Sequence, residues 1–226
     1  MREFILFYIL IFPVVIYAGD FKGNGGDLLV CGQKVQLFDY YEAERAYQLV
    51  SQLDKVPGDY IQKANWLVSQ IKIFSPRRAQ KYLKQIENFI AETQFISGQV
   101  SLGDIDDVEP QVEIPENCQL VQVANQNPNF LPVGKKYAIS FMWWNLMSEE
   151  DRAGLILHEI IYNELALETS IEVRKFNAHL AAQSFSQMTR KNFYSSLKNS
   201  DFKTVEYSGV LLDLQQEIQF FDESAV

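Results

Sequence analysis

A chain of 226 residues, 47% hydrophobic and 13% aromatic, has enough apolar side chain to bury a proper core as a single domain. Its formal net charge of -9, from 20 Lys and Arg against 29 Asp and Glu, argues against nucleic acid and anionic membrane surfaces as partners, since both require a basic footprint. The basic pairs Arg77-Arg78 and Lys135-Lys136 stand isolated and do not alter that balance.

Residues 1–18 read as an export signal. Arg2 gives a short positive start, Phe4 to Tyr17 is apolar apart from Pro13, and Ala18 offers a small residue for cleavage. The run is short for a transmembrane helix, although an uncleaved anchor is the alternative. No cysteine lies near position 18, so a lipid anchor is not expected. The expected organisation is a signal peptide over 1–18 and one exported domain over 19–226, with a periplasmic or secreted location. An even pair of cysteines in an oxidising compartment favours a bridge, so Cys31–Cys118 is the predicted disulfide and two buried thiols the alternative.

Residues Gly19 to Asp27 read as a flexible, glycine-rich arm. Gly23-Asn24-Gly25-Gly26-Asp27 lacks the Lys-Ser/Thr ending of a phosphate-binding loop. Leu28 to Cys31 and Lys34 to Phe38 are predicted strands around a Gly32-Gln33 turn. Asp39 is placed to cap a helix from Tyr40 to about Leu53, with Ala43, Ala46, Tyr47 and Val50 inward. Asp59 starts a helix to about Phe74. Ser75-Pro76 restarts one that runs to about Gln94, with Ala79, Tyr82, Leu83, Ile86, Phe89 and Ile90 on its apolar face. Ser97 to Asn117 is an acidic loop whose spacing does not match a calcium loop. Cys118 to Ala124 and Tyr137 to Ser140 are further strands. Phe202 to Tyr207 is a strand candidate, and Val210 to Phe221 is ambiguous between helix and strand.

Chemistry centres on Leu157-His158-Glu159-Ile160-Ile161-Tyr162. Ser148-Glu149-Glu150-Asp151 opens the helix as an N-cap with an acid three residues on, and the helix continues to about Leu167. In the full H-E-x-x-H zinc motif, two His side chains one turn apart bind the metal while Glu activates water. Here Tyr162 occupies the second position, and a phenol holds its proton to about pH 10. His158 is therefore a metal-ligand candidate and Glu159 a catalytic candidate through half a motif only. The other histidine, His179, would complete a zinc site only with a carboxylate such as Glu168 or Glu172, and no spacing rule supports that set. The competing reading is a buried polar network in which Tyr162, Ser170 and Arg174 satisfy His158 and Glu159. A second capping signal, Thr169-Ser170-Ile171-Glu172, predicts a helix to about Met188. Folded against the first as a hairpin, it would bring Arg174 near Glu159 or Glu164.

The glycine-rich lead-in with Cys31, the Pro115 and Cys118 of a Cys-Gln-Leu-Val-Gln run, the Leu-His-Glu-Ile-Ile-Tyr segment, and Ser170, Val173, Arg174 and Asn177-Ala178 together resemble a set of exported, largely uncharacterised proteins of predatory Gram-negative bacteria. The resemblance spans most of the chain beyond residue 18. It implies an exported location and supplies no activity. That pattern also has Tyr at the position of Tyr162, which speaks against accidental loss from a working protease.

The expected fold is α+β, mainly helical with a small sheet, one domain and one disulfide. Two functions are compatible with these residues. One is a non-catalytic exported protein that binds an envelope or protein partner. The other is a zincin-like metallohydrolase acting on envelope peptide or peptidoglycan bonds through His158 and Glu159. No G-x-S-x-G nucleophile motif or nucleotide fingerprint occurs.

Overall fold

In a computed structural model of the chain, residues 26–97, 110–126, 131–165 and 170–189 are described. The export signal, most of the acidic loop and the segments predicted beyond residue 189 lie outside them. The fold is α+β, with two three-stranded sheets and six α-helices among the described residues.

The first sheet has the order β2-β1-β4, built from β1 (Asp27–Cys31), β2 (Lys34–Leu37) and β4 (Cys118–Gln122), all antiparallel. Gly32, with φ of 64°, makes the tight turn between β1 and β2 that side chains other than glycine rarely accept. Register places Cys31 opposite Cys118, and the two sulfurs are bonded, with Cα atoms 4.3 Å apart. The bridge closes a sequence separation of 87 residues. The double variant Cys31→Ser/Cys118→Ser is expected to be less stable by roughly 2–4 kcal/mol, chiefly because its unfolded chain is less constrained. Denaturation with and without reductant measures this: reductant should lower the native midpoint and leave the variant's unchanged.

The second sheet has the order β3-β6-β5, from β3 (Thr93–Ile96), β5 (Ala124–Asn125) and β6 (Tyr137–Ser140). β3 runs parallel to β6 and β5 antiparallel to it. Val123 joins the two sheets: its N–H donates to the Gly26 carbonyl at 3.0 Å, and its own carbonyl accepts from the Ser140 N–H at 3.0 Å. The predicted strand over Cys118 to Ala124 is thus divided at this residue between two sheets.

The helices follow their local start signals. Asp59 caps α2 (Tyr60–Lys72) in a full capping box with Gln62. Pro76 opens α3 (Pro76–Glu92), whose buried face includes Ala79, Tyr82, Ile86 and Phe89. α3 gives way to β3 at Thr93, earlier than the sequence reading has it. α1 (Phe38–Tyr47) also ends early: Gln48 adopts a left-handed conformation at φ 57°, and Val50, expected inside, is 62% exposed. Its buried run is instead Phe38 to Ala43. A short helix, α4 (Phe141–Leu146), precedes α5 (Glu149–Leu165).

α5 is the axis of the core. Ser148 Oγ accepts the Asp151 N–H at 3.1 Å and donates to the Asp151 carboxylate at 2.7 Å, fixing the first turn. From Ala153 to Tyr162 every side chain is buried, with Leu155, Ile156, Leu157, Ile160 and Ile161 wholly enclosed. Gly154 lets α1 approach closely, because a Cβ there would stand 2.5 Å from the Tyr40 hydroxyl and from a Leu37 methyl. α6 (Ile171–Ala181) packs against both α1 and α5 and ends sooner than the predicted Met188, followed by a 3-10 turn over Gln183–Gln187. No described helix is long and apolar enough to cross a membrane.

Candidate functional site

Polar side chains meet at the centre of this apolar frame. His158 and Glu159 on α5, Ser170, Arg174 and Asn177 on or beside α6, Asp39 and Glu42 on α1, and Asp27 on β1 are all buried. Groups so enclosed need partners, and most of these have them.

His158 Nδ1 lies 2.9 Å from one Asp39 carboxylate oxygen and 3.2 Å from the other. Asn177 Nδ2 donates to the same carboxylate at 2.7 Å and to the Gly154 carbonyl at 3.0 Å. Burial is the largest single influence and works against charge on both members of the pair, but their attraction, the hydrogen bonds and the surrounding charges together outweigh it. They raise the His158 pKa above its usual value and lower that of Asp39. The pair is a buried imidazole–carboxylate contact, and Nε2 of His158 has no hydrogen-bond partner among the described residues.

Glu159 points the other way. Its Oε1 accepts the Gly26 N–H at 2.7 Å and its Oε2 accepts from Gln126 Nε2 at 2.7 Å. Gln126 Nε2 also reaches the Glu159 carbonyl at 2.8 Å. Burial raises the pKa of Glu159, while His158 and these donors hold part of the rise back. Gly26 and Asp27, read from sequence as part of a flexible arm, are buried. The Gly26 N–H is tied to α5 and Asp27 is in β1. Burial pushes the Asp27 carboxyl up to about 7 against the pull of His158 and Arg174, and its Oδ2 lacks a hydrogen-bond partner.

Arg174 pairs with Glu42, correcting the expected contact with Glu159 or Glu164. Its Nε donates to Glu42 Oε2 at 2.8 Å, its Nη2 lies 3.3 Å from Glu42 Oε1, and its Nη1 donates to Ser170 Oγ. The guanidinium also sits 5.2 Å from the Phe38 ring centroid. The reason is packing: α6 lies along α1 as well as α5, and α1 offers a carboxylate at the contact. Glu164 is engaged elsewhere, by Lys81 at 3.0 Å and Arg78 at 3.5 Å. Tyr162 is buried one turn after His158, with ring centroids 6.4 Å apart and planes nearly parallel. His179 is half-buried on the last turn of α6, where burial and Lys175 lower its pKa.

The donor set does not match a zinc centre. Nδ1 of His158 is occupied by Asp39, both Glu159 oxygens hold hydrogen bonds, and the described residues contain no group of three or more His, Cys, Asp or Glu able to hold a metal ion. Sequence reading found His158, Glu159, Ser170 and Arg174 but missed Asp39, Glu42, Asn177, Gln126 and Asp27 as their partners. A weak signal existed: Asp39 and Glu42 are acids three residues apart beside Phe38, Tyr40, Tyr41 and Ala43, which places charge on a helix face that had to be buried. Comparison of the chain with protein-family models, with curated proteins and with solved structures found no match.

Proposed function

We propose that the chain is an exported, non-catalytic binding protein of the cell envelope, and that His158, Glu159, Ser170 and Arg174 hold its helices together rather than act on a substrate. The observation that carries this reading is the engagement of Glu159. A general base must be free to take a proton from water, whereas both oxygens of this carboxylate are hydrogen-bonded, one of them to the backbone of the strand-entry residue Gly26. The disulfide is consistent with export.

One observation favours the metallohydrolase reading: Nε2 of His158 is unpartnered among the described residues while Asp39 orients Nδ1, as a carboxylate behind a metal-bound imidazole does. Metal analysis separates the two. Protein recovered from a periplasm without chelating resin is expected to contain no zinc above background, both native and as His158→Ala. The variant should unfold more readily because Asp39 loses its partner. Near-stoichiometric zinc in the native protein, lost in His158→Ala, would overturn the binding-protein reading.

A further inference from the structure

On the outer side of α1, beside the disulfide, Tyr41, Arg45, Val112, Glu113 and Pro115 line an open cleft of about 450 Å³. That volume falls within the range of small-molecule sites, about 300–1,000 Å³. Arg45 is already positioned: its guanidinium carbon lies 3.8 Å from the centroid of the Tyr41 ring. Stacking holds the planar fork in one orientation, so less freedom is lost when it takes up a carboxylate. Arg45 and Glu113 share the cleft but form no ion pair with each other or with any other described residue.

The walls are pinned on both sides. Tyr41 is buried in a small apolar cluster with Leu29 and Phe38, against which Val112, Ile114, Leu120 and the disulfide pack. The Cys118 N–H donates to the Pro115 carbonyl at 2.8 Å. The Gln111 N–H donates at 2.7 Å to Glu42 Oε1, the carboxylate that Arg174 holds. The buried Arg174–Glu42 pair thus fixes the segment that carries Val112 and Glu113.

We propose that this cleft binds a short peptide with free ends. Arg45 takes the terminal carboxylate, Glu113 takes the ammonium group, and Val112 and Pro115 contact small apolar side chains. Two opposite charges in one cleft that do not close on each other match a ligand bearing both signs. The proposal rests on the reading of the chain as a binding protein, but the two fail separately, since metal analysis tests that reading and peptide titration tests this one.

The test is an amide-resolved NMR titration of the disulfide-bonded protein with trialanine, its C-terminal amide and its N-acetyl derivative. Free trialanine is expected to shift resonances around residues 41–45 and 111–115. Amidation of the peptide, or Arg45→Met in the protein, should weaken binding by about tenfold or more, as loss of a charge-assisted contact does. N-acetylation and Glu113→Gln should each weaken it by a smaller factor. Arg45 is exposed, so its variant is expected to melt like the native protein. Absence of shifts in the cleft, equal binding of the free peptide and its amide, or unchanged binding by Arg45→Met would overturn the proposal. Sensitivity to amidation without any sensitivity to acetylation would remove Glu113 and overturn the two-ended assignment.

Discussion

Glu42→Ala is expected to destabilise the fold by about 3–5 kcal/mol, the range for removing one partner of a buried ion pair. Arg174 is wholly enclosed and its guanidinium is paired with the Glu42 carboxylate. Burial works to lower the arginine pKa and the bond to Glu42 raises it; a guanidinium does not give up its proton in a protein, so without Glu42 the buried charge must find water or unfold the chain. The variant also strips the Gln111 N–H of its acceptor. Glu42→Gln preserves the shape and an acceptor for Gln111 and should cost less. The paired replacement Glu42→Leu/Arg174→Met removes both charges and should recover part of the loss, leaving the buried Ser170 hydroxyl without its bond to Arg174 at about 1–3 kcal/mol. Guanidinium chloride midpoints at constant slope measure all three. A loss below 1 kcal/mol for Glu42→Ala would mean that the pair is hydrated in solution.

What could be read in advance divides along the distance between cause and effect in the chain. Asp59 before α2 and Ser148 before α5 were legible because a cap acts on N–H groups two or three residues away, and α3 because Pro76 is pre-set for the first helical position although Ser75 makes no side-chain cap bond. The strand Tyr137–Ser140 and the pairing of the cysteines were legible too, the latter from count and compartment. The switch from α3 to β3 was not. The helix was expected to run to about Gln94, since Thr93-Gln94 carries no stop signal, and pairing with Tyr137–Ser140, far along the chain, selects the extended form. The early end of α1 was hidden for a related reason, since the bridge between Ser51 and Ala182 and the bond from Gln52 N–H to the Ala181 carbonyl draw the chain away from a helical path.

The candidate site shows the same limit. His158 and Glu159 were conspicuous as charge on an apolar helix, so burial with partners could be inferred. The identity of the partners could not, because Asp39 is 119 residues from His158 and Gly26 is 133 residues from Glu159. Arg174 was assigned to the acids of the neighbouring helix in sequence, which is the natural choice for a helical hairpin. The structure packs α6 on α1 as well as on α5, and that tertiary contact brings the Glu42 carboxylate to Arg174.

Asp27→Asn is expected to flatten the loss of stability with rising pH. The folded carboxyl has a pKa of about 7 against an ordinary 3.8, so the folded state binds this proton more tightly than the unfolded chain does. Its contribution is therefore most favourable below 3.8, falls as pH rises between 3.8 and about 7, and stays low above that. The gap corresponds to about 4 kcal/mol. Asparagine does not ionise, so it escapes this loss but keeps a buried polar group that costs about 1–3 kcal/mol if unsatisfied. At pH 8 the variant should be the more stable protein, and near pH 4 that advantage should vanish or reverse. The neighbouring pair adds two further contributions to the profile. His158, with its pKa raised above 6.5, contributes fully below 6.5 and loses its contribution as pH climbs through the folded value. Asp39, with its pKa lowered, contributes above 3.8 and fails as pH drops through its folded value. The imidazolium–carboxylate contact and a neutral Asp27 therefore coexist best in mildly acidic solution, between 3.8 and 6.5. Denaturation midpoints from pH 4 to pH 8 for both proteins decide the matter: parallel curves would mean that Asp27 is hydrated and not enclosed. Curves that converge toward pH 4 would place its proton inside the fold, where the acids Asp27, Asp39, Glu42 and Glu159 are buried together with the bases His158 and Arg174.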